Sequence, residues 1–112
     1  MKKYQLGEFE EYVLLTVGVL HGDAYGVTIR EEIQKRLERK VSIGALQSAL
    51  RRMEDKGFLI SELGETTKAR GGKRKRYFKI TALGKNALDF NMETRMKLWK
   101  EIPDVALQFS PC

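Results

Sequence analysis

The 112-residue sequence predicts a mainly α domain that carries one β-hairpin. Three observations lead there. Apolar residues step by three and four through three stretches, the first and third closed by glycines, as on helix faces. Two short strand-like runs then flank a polar, basic loop containing Gly71 and Gly72. A fourth helical stretch opens after Thr81 and runs until Pro103 interrupts it.

The first helix is expected over 8–21, after Gly7. Phe9, Tyr12, Val13, Thr16, Val17 and Leu20 share one face, and Leu14, Leu15 and Val19 add apolar surface elsewhere. A helix apolar nearly all round is central or covered by a partner. Gly22 is its expected stop, because glycine tolerates the left-handed terminal conformation. The second helix opens at Tyr25-Gly26 and is expected to reach about Arg39, with Ile29, Ile33 and Leu37 as its core stripe.

Ser42 suits the N-cap of the third helix, where its hydroxyl accepts from free backbone N–H groups. Ile43, Leu46, Leu50 and Met53 form the expected core stripe, and Gly57 ends the helix. The opposite face carries Gly44, Ser48, Arg51, Arg52 and Asp55, with Gln47 on the flank.

Residues 58–62 read as a strand, with a bulge or early turn at Leu63-Gly64, and 77–80 read as its partner. Thr81 should cap the fourth helix. Leu88, Met92, Met96 and Trp99 form one stripe on it, and Leu83, Leu98 and Ile102 widen the apolar surface. Three helices and a hairpin can close a core without all of that surface. The far half of the helix is therefore expected to need a partner, and a second copy would supply one through a two-fold contact. The alternative is a helix folded back on its own domain.

Composition excludes several function classes. Apolar residues are 42% and charged residues 32%, which fits a folded domain rather than a disordered tail. His21 is the only histidine and Cys112 the only cysteine, too few for a zinc site or an internal disulfide. No phosphate-binding glycine motif occurs. Neither an enzyme nor a metal- or cofactor-dependent protein is expected. The apolar run at 12–20 is shorter than the roughly 20 residues a membrane span needs. Glu8, Glu10 and Glu11 also break the order of a signal peptide, so a cytoplasmic protein is expected.

The net charge of +6 is concentrated. Segment 68–79 holds Lys68, Arg70, Lys73, Arg74, Lys75, Arg76 and Lys79 and no acid. The rest of the chain has 14 basic against 15 acidic residues. One such patch suits a polyanion or a charged surface. Helices two and three resemble a helix-turn-helix, and the hairpin resembles the wing of a winged helix. A helix fits the major groove and reads base edges, while Lys and Arg meet phosphates.

From about Glu8 to Leu88 the sequence resembles the PadR family of bacterial transcriptional regulators. The matching residues are Tyr25-Gly26, Ser42-Ile43-Gly44-Ala45-Leu46, Leu50 with Met53-Glu54, Gly57-Phe58-Leu59-Ile60, and the run from Lys73 to Thr81 with Gly84. The resemblance implies a winged helix-turn-helix, a homodimer formed largely through the long C-terminal helix, and repression that small molecules or stress relieve. The short C-terminal part resembles the smaller members of the family. Two departures stand out. Gln47 occupies a position where the family usually has tyrosine, and Tyr25-Gly26 reverses the commoner order.

The expected division is a DNA-binding domain at 1–81 and a dimerisation helix with a short tail at 82–112. Expected DNA contacts are Ser42, Gly44, Gln47, Ser48, Arg51 and Arg52 from the third helix, and Lys73, Arg74, Lys75 and Arg76 from the wing. Strand alternation lets only one pair of the wing set, Arg74 and Arg76 or Lys73 and Lys75, face DNA. Without DNA, Arg51 and Arg52 would pair with Glu54, Asp55 or Glu32. Leu88, Met92, Met96 and Trp99 are the expected dimer contacts, and Trp99 suits a pocket for an apolar or aromatic effector. Double-stranded DNA on a roughly palindromic site is the expected partner. A protein-interaction module and a binder of nucleic acid without sequence preference are the alternatives.

Overall fold

Glu8–Val19 forms helix α1 in the computed structural model, which describes residues 4–66 and 74–109. The Gly7 N–H donates to Glu10 Oε1 at 3.0 Å and ties off the first turn. Val13, Leu14 and Val17 are buried, whereas Tyr12 is exposed. The expected face is thus rotated. α1 packs against α2 (Gly26–Leu37), α3 (Ile43–Asp55), β2 (Arg74–Ile80) and α4 (Ala82–Glu101), so a wide arc faces inward. Tyr12, Leu15 and Val19 are left as an outward apolar stripe bordering Ile33 and Leu37 of α2.

Helix α2 ends at Leu37, two residues before the expected Arg39, because Glu38 turns left-handed at φ 52°. Both backbone groups of Val41 are then held by α2. The Val41 N–H donates to Gln34 Oε1 at 2.9 Å, and Arg30 Nε donates to the Val41 carbonyl at 2.8 Å. The turn into α3 is therefore fixed at both edges.

Ser42 caps α3 as expected, with its Oγ accepting from the Ala45 N–H at 3.0 Å. Leu46, Ala49, Leu50 and Met53 are buried. Ile43 departs from the expected stripe and is 47% exposed. It sits in the first turn, ahead of the residues that reach the core. Gly57 follows the helix at φ 83°, a conformation that glycine adopts at little cost.

Phe58, almost fully buried, leads into β1 (Leu59–Thr66), which pairs antiparallel with β2. Leu59 faces Ile80 and Ser61 faces Phe78, and the register shifts between Leu63 and Thr66. That irregularity falls at the expected bulge. Both strands run further into the hairpin than 58–62 and 77–80. Arg74 to Arg76 were hidden as strand residues because they are all basic and show no apolar alternation. The loop at 67–73, with Lys68, Arg70 and Lys73, lies outside the described residues, as does Cys112.

The core gathers Leu14, Ile29, Ile33, Leu46, Met53 and Phe58 from the three helices and the start of the hairpin. Truncating one of these to Ala should cost about 2–5 kcal/mol. Helix α4 begins where Thr81 Oγ1 accepts from the Gly84 N–H at 3.0 Å. Gly84 and Ala87 are buried, and Asn91 Nδ2 donates to the Tyr4 carbonyl at 2.8 Å. Arg95 lies 3.0 Å from the buried Glu11 carboxylate, a pairing of charges without hydrogen-bond geometry. Every described residue from Met92 onward is exposed. The radius of gyration is 17.4 Å, against about 13 Å for a compact chain of this length. The far half of α4 therefore projects from the body instead of folding back. Among the described residues, no helix is long and apolar enough to cross a membrane.

Candidate nucleic-acid interface

The outer face of α3 and the inner side of the hairpin form the walls of an open groove of about 680 Å³. Helix α3 contributes Ile43, Gln47, Leu50, Arg51 and Glu54. Strand β2 contributes Arg74, Lys75, Arg76 and Phe78, and the start of α2 closes the floor with Tyr25, Gly26 and Val27. Among the apolar members Leu50 and Phe78 are buried while Val27 and Ile43 are exposed, and the cations Arg51, Arg74 and Arg76 stand exposed.

Helical spacing divides the α3 candidates in two. Gln47 and Arg51 line the groove, along with Glu54. Gly44, Ser48 and Arg52 follow one another at four-residue steps on the neighbouring surface, outside the groove lining. Ser42, Gly44, Gln47, Ser48, Arg51 and Arg52 are all exposed, and a Cβ at Gly44 would meet no atom within 4 Å. The backbone of this first turn is open to a large partner.

Arg52 has a partner that spacing did not indicate. Its Nε donates to Glu10 Oε2 at 3.0 Å, and Lys56 Nζ lies 3.4 Å from Glu10 Oε1. Burial works against the Glu10 charge. The Gly7 N–H, the Arg52 hydrogen bond and the nearby Lys56 and Arg52 charges outweigh it, holding the carboxyl below its ordinary range. Two of the expected acids, Glu32 and Glu54, have other partners. Glu32 pairs with Arg36 at 2.7 Å. Glu54 Oε2 accepts from Ser61 Oγ at 2.7 Å, and Ser61 Oγ in turn accepts from Arg76 Nη1 at 3.0 Å. This chain of hydrogen bonds joins α3 to both strands of the hairpin.

On the wing, Arg74 and Arg76 are exposed and Lys75 is half-buried. Lys73 lies outside the described residues. Lys79 is 3.8 Å from Glu62 across the hairpin. Phe78 is buried in the core, as packing rather than base stacking requires. The candidates on α4 also separate. Leu88 packs against the core, whereas Met92, Met96 and Trp99 are 38%, 44% and 60% exposed. Among the described residues, no cluster of His, Cys, Asp or Glu could hold a metal ion.

Sequence reasoning did not place Val27, Ile43 or Glu54 in the groove, and it left Tyr25 without a role. The only signal for Tyr25 was its place in the Tyr25-Gly26 pair. Glu54 was visible as a helix acid, but its partner on the hairpin was not.

The arrangement suits a duplex. Helix α3 presents amide and guanidinium donors on one side of the groove, and a basic strand faces it. The sequence profile of the Transcriptional regulator PadR-like family matches residues 14–89. A PadR-like transcription factor from Bacteroides fragilis is 27% identical, over 89% of this chain and 88% of its own, with a TM-score of 0.70. A transcriptional regulator from Clostridium thermocellum is 26% identical, over 84% of this chain and 92% of its own, with a TM-score of 0.63. The hsRosR-S1 complex structure, of RosR from H. salinarum, aligns with a TM-score of 0.72 at 22% identity, over 93% of this chain and 85% of that one. That last likeness concerns the fold alone. None of the curated proteins matches the chain.

Proposed function

Starting from a chain that belongs to the PadR-like family of transcriptional regulators, and is thus a DNA-binding regulator rather than an enzyme, we propose that it is a homodimeric repressor of a roughly palindromic operator. The observation that carries this reading is the groove that sets Gln47 and Arg51 of α3 opposite Arg74 and Arg76 of the hairpin.

In this reading residues 1–81 bind DNA and 82–112 join the two copies. Helix α3 enters the major groove. Gln47 is suited to adenine and Arg51 to guanine, each through two-point hydrogen bonding. Ser42, Gly44 and Ser48 follow the backbone. Arg52 serves a phosphate, since a guanidinium whose Nε is bound to Glu10 keeps its other donors. Arg74 and Arg76 take the flanking phosphates, with Lys73 and Lys75 adding to the local field.

Dimerisation through α4 is supported by the exposed Met92, Met96 and Trp99 on its projecting half. Two copies set their α3 helices into successive major grooves and cover a promoter. An apolar or aromatic effector held between the α4 helices would change the spacing of the heads. It acts only by binding one spacing better than the other.

Hydroxyl-radical footprinting on DNA from upstream of the protein's own coding region tests the reading. Two protected patches about one helical turn apart are expected. A single patch, or uniform protection, contradicts the dimeric operator reading.

A further inference from the structure

Tyr25 stands just before α2 and takes no part in the contacts assigned above. Its ring lies beneath the Lys75 ammonium, 4.4 Å from Nζ to the ring centroid. It also meets the Tyr77 ring edge-on, with centroids 5.5 Å apart and planes at 71°. The carbonyl of the buried Ala24 accepts from the Phe78 N–H at 2.8 Å. Lys75, Tyr77 and Phe78 of β2 are therefore all fastened to Ala24 and Tyr25, the two residues just before α2.

The fastening is backed on both sides. A Cβ on Gly64 would meet the Tyr77 ring at 2.6 Å, so that ring lies against bare backbone of β1. The Tyr25 N–H donates to Thr28 Oγ1 at 3.1 Å, and Thr28 Oγ1 donates to the Asp23 carbonyl at 2.6 Å. Tyr25 is thus anchored to the first turn of α2 before it touches the hairpin.

We propose that Tyr25 is a positioning residue for DNA binding, its ring fixing β2 so that Arg74 and Arg76 stand preset across the groove from α3. This rests on the DNA reading above. A two-stranded hairpin is marginal without outside support. Arginines on a wavering strand would have to be ordered at each encounter, and that ordering weakens binding. The clamp also draws Lys75 inward. It is half-buried on Tyr25 while its neighbours Arg74 and Arg76 are exposed. The Tyr25 ring thereby selects which of the alternating cations face outward.

The test compares the full chain with Tyr25→Ala, Tyr25→Phe and Tyr25→Leu. The leucine variant fills the space without a π face and guards against loss of folding. Amide hydrogen exchange is measured in the free protein, and affinity is measured on a duplex of about 20 base pairs, long enough for two half-sites. In Tyr25→Ala and Tyr25→Leu, exchange at Phe78 and its β2 neighbours should quicken at least about tenfold while α1 and α3 keep their protection, as local opening requires. Affinity should fall about fivefold or more as preorganisation weakens. Tyr25→Phe should restore both to within about twofold, since it keeps the ring that meets Lys75 and Tyr77. Wild-type exchange in β2, or undiminished affinity in Tyr25→Ala and Tyr25→Leu beside a wild type that binds, overturns the proposal alone. A wild type that ignores the duplex at low salt defeats the DNA reading and the proposal with it.

Discussion

Ser61 Oγ donates a 2.7 Å hydrogen bond to Glu54 Oε2 and so fastens the first hairpin strand to the helix proposed to read DNA. Arg76 Nη1 donates to the same hydroxyl from the second strand. One serine thus couples an acid of α3 to a cation of the wing. Ser61→Ala should remove both bonds and lower stability by about 1 kcal/mol, the net worth of a typical partly exposed hydrogen bond. Thermal unfolding checks this. An unchanged Tm would make the chain of bonds a surface ornament.

The two walls of the groove should fail differently on mutation. Arg74→Ala and Arg76→Ala should weaken binding to every sequence alike and reduce the salt slope by about one for each phosphate left without its cation. Arg51→Ala should cost about 1–3 kcal/mol on one preferred site and relax preference at a single base position. Binding assays on a set of single-base operator variants, across a salt series, separate these outcomes. Uniform weakening from Arg51→Ala would move Arg51 from base reading to phosphate contact.

Much of the fold was legible because local chemistry decides it. Ser42 and Thr81 cap helices as hydroxyl residues ahead of apolar steps do, and Gly57 ends α3 at a positive φ. Pro103 marks the end of α4 within two residues of Glu101. Facing was less legible. Tyr12 and Ile43 belong to regular apolar stripes yet lie exposed, because the neighbours that pack around a helix decide which arc turns inward.

The site was legible in its charge and not in its couplings. The basic run announced a wing, and the spacing on α3 brought Gln47 and Arg51 into view. Arg52 meets Glu10, 42 positions earlier in the chain, and Glu54 meets Ser61 on another element. No periodicity reports such a pairing. Tyr25 offered only its motif, and its contact with Lys75 depends on how β2 docks against α2.

Glu10 should make stability depend on acid. Its carboxyl titrates below the ordinary range when folded, so the unfolded chain takes up its proton first as pH falls. The stability it contributes is complete above the unfolded value of about 4.3 and is lost as pH falls through the lower, folded value. Glu10→Gln should therefore be less stable at pH 7 by roughly 1.5–3 kcal/mol, the range for hydrogen bonds to a charged group. The gap should close in acid. Urea unfolding of both proteins from pH 7 to 3 checks it, and a gap that persists throughout contradicts the Arg52 and Lys56 pairing.

The projecting half of α4 should govern assembly. Met96→Glu with Trp99→Glu places two charges on the apolar stretch while leaving the winged body, whose contacts end near Arg95, intact. Light scattering after size exclusion should find a wild-type dimer and a variant monomer with the same helical content. A variant that remains dimeric would place the interface elsewhere, with the outward stripe of Tyr12, Leu15 and Val19 the next surface to change.

The central claim is that the groove between α3 and the wing recognises a particular DNA sequence. Fluorescence anisotropy tests it most directly, with DNA from upstream of the protein's own coding region, scrambled DNA of equal length and a salt series. The upstream DNA should be preferred by about a thousandfold or more, with affinity falling steeply as salt rises. No binding to either DNA at low salt would contradict the claim.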